Sequence, residues 1–121
     1  MITFTIGFCI LEEESIHKNE SYYQDLFSKY IKSDQTEYRL DDNSRVDIIT
    51  QTYAIEIDYD YKWYESIGQS LFYSIKTGLR PGIVLLIDNQ KYLNRLLIVA
   101  NKYNIKVWTI NLESEIIRSF K

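Results

Sequence analysis

One cysteine, one histidine, one proline and four glycines are spread over 121 residues. A lone Cys9 cannot form an internal disulfide, so no disulfide framework holds the chain, and the compartment it suggests is the cytoplasm. His17 alone cannot build a zinc site. So little glycine and proline, with a hydrophobic fraction of 45%, excludes collagen-like and disordered classes and leaves a globular domain. The apolar run at the start, MITFTIGFCIL, is too short to cross a bilayer and lacks the basic region and small-residue cleavage site of a signal peptide. Its β-branched and aromatic content reads as a strand, although an exported form is compatible with it. Cations are also in short supply: 14 Lys and Arg against 17 Asp and Glu give a net charge of −3. That excludes a strong nonspecific polyanion binder. It does not exclude an enzyme whose acids are neutralised by a bound cation. Tyrosine, by contrast, is abundant, with 11 copies.

A chain of this length forms one domain, residues 1–121. Asn19 is placed to cap a helix in which Tyr22, Tyr23, Leu26, Phe27, Tyr30 and Ile31 share one face. Glu37–Leu40 reads as a short strand, and the following DDNS as a turn whose side chains bond their own backbone. Val46–Thr50 and Tyr53–Tyr59 are further strands. From Lys62 to Lys76 the pattern is helical, with Trp63, Ile67, Leu71 and Ile75 repeating every four residues and assigned to the core. Thr77 to Gly82 reads as a stop and a turn, and Ile83–Ile87 as a strand covered on both faces. Gln90–Tyr103 is a helix capped by Asp88 and Asn89, Lys106–Asn111 a strand, and Leu112–Lys121 a short terminal helix. The order predicts an α/β fold: an antiparallel meander joined to helix-separated parallel strands in one mixed sheet.

Chemistry concentrates between Arg45 and Tyr73. Strand alternation points Glu56 and Asp58 to one side and Ile55 and Ile57 to the other. The connection TQTY is of hairpin length, so Asp47 can face Glu56 across a two-stranded ladder. Carboxylates set among apolar strand residues are costly to bury unless a cation lies between them, and a divalent metal is the economical choice. The competing reading is a pair of acids on the solvated face of an edge strand. Lys62, Ser66, Gln69, Tyr73 and Lys76 form a polar stripe on the next helix. Glu20, in the first turn of the first helix, also suits the helix dipole alone.

This combination resembles the PD-(D/E)xK nuclease superfamily: Asp47 on the second strand, Glu56-Ile57-Asp58 on the third, and Gln69-Ser-Leu-Phe-Tyr73 matching the QxxxY motif of the RecB-like branch. The run AIEID…KWYESIGQSLFY…TGLRPGIVLL is similar to a group of small bacterial and phage proteins within it. The likeness covers roughly residues 20 to 110. It implies a restriction-endonuclease-like core, α-βββ-α-β-α-β, here with an additional N-terminal strand, and metal-dependent hydrolysis of phosphodiesters, DNA ahead of RNA. Asp47 and Glu56 would hold Mg²⁺ or Mn²⁺ with the Ile57 carbonyl, and Glu20 would supply a further acid. Gln69, Tyr73 and Arg45 would meet substrate, and a homodimer is one arrangement open to such a domain. Two departures stand out. Val46 replaces the proline before Asp47, and Asp58 occupies the place of the usual lysine. Lys62 is the candidate replacement for that charge, with Asp58 left to bind metal or orient water. A non-catalytic binding module that retains the fold is the alternative reading.

Overall fold

The computed structural model describes residues 18–121. The strand expected at the N-terminus lies outside that range, as do Cys9 and His17. Helix α1 (Glu20–Ile31) opens as its sequence dictates: Asn19 accepts the Tyr22 N–H on its side-chain oxygen at 3.0 Å. Strands β1 (Gln35–Arg39), β2 (Arg45–Ile49) and β3 (Tyr53–Tyr59) follow as a meander. A single 3₁₀ turn over Asp60–Lys62 leads into α2 (Trp63–Thr77). Then come β4 (Arg80–Ile87), α3 (Gln90–Tyr103), β5 (Lys106–Asn111) and β6 (Ile117–Phe120). In space the strands keep their sequence order, β1-β2-β3-β4-β5-β6. The pairs β1–β2, β2–β3 and β5–β6 are antiparallel, whereas β3–β4 and β4–β5 are parallel. The predicted mixed α/β sheet is therefore present, with six strands and, among the described residues, three helices.

Each face of the sheet has its own apolar layer. Under α1, Tyr23 and Phe27 pack on Ile48, Ile55, Ile57, Val84, Leu86, Trp108 and Ile110. On the opposite face, Trp63 of α2 and Leu93, Leu96 and Ala100 of α3 cover Ile83, Leu85, Ile87 and Val107. The two residue sets alternate along β4, which explains why its sequence is apolar throughout. Gly82 lies inside β4 rather than in a turn before it, because a Cβ there would come within 3.0 Å of the Trp108 ring and 3.1 Å of Ile55.

Two further expectations are corrected. Ile75 is 81% exposed. Each four-residue step on a helix advances 400°, so a repeat that starts at Trp63 has drifted about 120° by its fourth member and reaches the surface. The face of α2 turned to the sheet is instead Trp63, Ser66, Ser70 and Tyr73. Both serine hydroxyls donate back to helix carbonyls, Trp63 at 2.8 Å and Ile67 at 3.0 Å, which satisfies them in the interior. The C-terminal segment is not a helix. Asn111 turns the chain by accepting the N–H groups of Glu113 and Ser114, each at 2.9 Å, and the next residues form β6 along β5. No helix among the described residues is long and apolar enough to cross a membrane.

Candidate functional site

The site arises where β2 parts from β3. The two strands pair only at Ile48↔Ile55 and Ile49↔Ala54. One step further along, Asp47 stands opposite Glu56, and there the ladder stops. On the other side of Asp47, Glu37 of β1 adopts a left-handed φ of 54°, between the pairs Thr36↔Ile48 and Tyr38↔Val46. Strand β2 is turned about its own axis here: Val46 packs with Ala54 and Tyr73 on the α2 side, while Ile48 packs on the α1 side. Two residues of one regular strand would share a face. Between them, the Asp47 side chain turns into the gap and accepts the Ile57 N–H on Oδ2 at 2.9 Å, replacing the missing ladder bond. A strand residue directs its N–H and C=O toward the same neighbour, so the Ile57 carbonyl also faces this gap.

Glu56 and Asp58 do not lie on a solvated edge. Strand β3 is the third of six, and the two residues are 5% and 7% exposed. Oε2 of Glu56 is buried with no hydrogen-bond partner, the one such side-chain oxygen or nitrogen among the described residues. Burial drives the proton affinities upward, and neighbouring acids add to it. Glu56 is pushed up to about 9 by burial and then by the Asp47 charge, with the Asp47 main-chain amide offsetting part. Asp47 rises to about 7, again chiefly through burial, against the Ile57 hydrogen bond that favours its anion. Asp58 rises to about 6 through burial and the charge of Glu20, with Lys62 opposing. Without a cation, the Asp47–Glu56 pair holds a proton at neutral pH.

Glu20 and Lys62 both act on the same cluster. Glu20, in the first turn of α1, is raised by burial, with the Lys62 charge opposing. It also raises both Asp47 and Asp58. A depression of about 430 Å³ runs from Glu20 and Gln24 past Glu37 and Arg45 to Asp47. Lys62 ends the 3₁₀ turn, half-buried, and forms no ion pair within 4.0 Å among the described residues. Its position is set by Asp60, which is 5% exposed and accepts the N–H groups of Asp88 at 2.8 Å and Asn89 at 2.7 Å. That carboxylate fastens the turn to the head of α3.

The remaining expected residues divide. Tyr73 is buried, and the charges of Glu56 and Asp47 raise its phenol after burial itself. Gln69, one turn before Tyr73 and about 40° round the helix from it, is exposed, so only the tyrosine end of the QxxxY-like motif enters the buried cluster. Arg45 lines the depression but is engaged with Glu37 at 2.9 Å. Lys76, of the polar stripe, is paired with Asp41 at 2.9 Å. Among the described residues no three His, Cys, Asp or Glu side chains are drawn together as a ready metal shell. The closest approach to one is the Asp47–Glu56 pair, with Asp58 and Glu20 felt through their charges. Sequence reading missed Gln24, buried in the depression one turn after Glu20, and Glu37, which lines it with a left-handed backbone. The i, i+4 spacing from Glu20 signals the first; nothing in the sequence signals a left-handed glutamate. No protein-family model, curated protein or solved structure matches the chain.

Proposed function

We propose that this protein is a divalent-metal-dependent nuclease that hydrolyses phosphodiester bonds in DNA. The observation that carries the reading is the orphaned oxygen of Glu56, buried beside Asp47 at the mouth of a strand gap. An unpartnered carboxylate oxygen inside a sheet is costly, and a cation seated against it removes the cost. Asp47, Glu56 and the Ile57 carbonyl are all oxygen donors, which suits Mg²⁺ or Mn²⁺, and the residues present fit such an ion. When bound, the ion supplies a more acidic water and a positive charge for the phosphoryl oxygens. Asp58 and Glu20 then remain to orient that water; Asp58, raised to about 6, is suited to act as a base near neutrality, and burial raises Glu20 in the same direction. Lys62, free of an ion-pair partner among the described residues, is left to neutralise charge that develops on the phosphate. The order α-βββ-α-β-α-β supports a restriction-endonuclease-like core, with β6 added after it.

Two observations favour the second reading, a non-catalytic binding module: Asp58 sits where a lysine would complete the site, and among the described residues no three His, Cys, Asp or Glu side chains are drawn together. A single assay separates the two. Supercoiled plasmid and single-stranded DNA are incubated with Mn²⁺ or Mg²⁺, with and without chelator, beside the Glu56→Gln protein. Cleavage that needs the metal and is lost in Glu56→Gln supports the nuclease. Metal-induced stabilisation without cleavage of either DNA selects the binding module.

A further inference from the structure

The outer surface of α2 carries an apolar stripe that no described residue covers. Tyr64 is 68% exposed, Phe72 43% and Ile75 81%, and between them Gly68 is exposed too. At 100° per residue these four lie within about 80° of arc, directly opposite the face that packs on the sheet. Gly68 is the unusual member. A Cβ built on it meets nothing within 4 Å, so no contact among the described residues requires a glycine there. An interior helical glycine destabilises a helix relative to alanine. The stripe is also symmetric about it, with Tyr64 four residues before and Phe72 four residues after.

We propose that α2 pairs with α2 of a second copy of this chain, antiparallel, across a two-fold axis at Gly68. Antiparallel pairing maps position −4 of one helix onto +4 of the other, so Tyr64 of each copy meets Phe72 of its mate, an aromatic pair repeated twice. Glycine at the axis lets the two backbones approach without a side chain between them. The stripe carries no charge, so pairing it with itself opposes no like charges despite the chain's net −3. The area is sufficient. The exposed parts of Tyr64, Phe72 and Ile75 amount to roughly 400 Å² per copy. With Ile98, 74% exposed on the neighbouring α3, complete burial of these side chains in two copies would come to ~1,000 Å², the size at which specific interfaces begin. This inference is independent of the nuclease reading.

The test uses the full chain. Sedimentation at rising concentration is expected to show a reversible dimer, absent in Gly68→Arg and Ile75→Asp proteins that melt cooperatively as the parent does. Gly68→Ala is expected to raise the monomer's melting temperature while weakening the dimer several-fold, a split that a purely internal role for the residue does not produce. Geometry is read by oxidation in a Cys9→Ser background. Gly68→Cys should cross-link to itself, and a mixture of Tyr64→Cys with Phe72→Cys should cross-link far better than either alone. A monomer at every concentration overturns the proposal, as does a dimer that survives Gly68→Arg. Folded Gly68→Cys protein that stays unlinked also overturns it, and would point to another occupant of the stripe, such as residues 1–17 of the same chain.

Discussion

At the scale of single residues, Glu56 governs how the protein responds to pH. Its folded proton affinity, about 9, lies above its ordinary 4.5, and Asp47 and Asp58 shift the same way from 3.8 to about 7 and about 6. The folded chain therefore holds more protons than the unfolded chain between about pH 4 and pH 9, and its stability falls as pH rises through that window. Thermal melts of metal-free protein should show a melting temperature that declines toward pH 9. Glu56→Gln should flatten the upper part of the curve by removing the group that must ionise there. Added Mn²⁺ should reverse the decline, because a cation at the site competes with protons and gains affinity as they leave. Lys62→Ala answers a different question. Under the nuclease reading its turnover should fall roughly 10²–10³-fold while Mn²⁺ still raises the melting temperature, as expected of a residue that stabilises charge rather than holds the metal. Unchanged cleavage by that variant would show that the missing motif lysine has no substitute at position 62.

Among elements, the connection from β3 to α2 carries the heaviest structural duty. Asp60 satisfies two N–H groups at the head of α3 from inside a one-turn 3₁₀ segment. Asp60→Ala should cost about 1–3 kcal/mol in denaturant melts, from the loss of two part-buried hydrogen bonds. Under the nuclease reading it should also lower activity, because Lys62 loses its fixed position. Gly82→Ala tests the packing of β4: a methyl group 3.0 Å from Trp108 should destabilise by about 1–3 kcal/mol and alter the tryptophan's near-UV signal. Elements with a strong local signal were legible in the sequence. Tyr53–Tyr59, Gln90–Tyr103 and Lys106–Asn111 have the predicted bounds. Legibility failed where tertiary partners decide. Ile117–Phe120 forms a strand only because the edge of β5 is there to pair with, and α2 turns serines to the sheet because their small volume allows close approach. The meeting of Asp47 with Glu56 followed from register arithmetic. The turn of β2 that sends Val46 and Ile48 to opposite faces and Asp47 into the gap did not, since local alternation alone predicts that the two share a face.

For the molecule as a whole, the two apolar layers and the acidic gap are separate constructions on one sheet. The gap lies between β2 and β3, whereas β6 is an edge strand three positions away from β3. A chain ending at Asn111 should therefore melt at a lower temperature yet keep the rise induced by Mn²⁺, and loss of that rise would tie the cation response to the C-terminal edge. The strand order has a further meaning. Because every described strand lies beside the one before it, the sheet can be assembled in the order of synthesis. No described strand has to be threaded between two that have already joined. A nascent chain of this protein can thus lengthen its sheet at one growing margin, and the residues of the acidic cluster are all made before β4, β5 and β6.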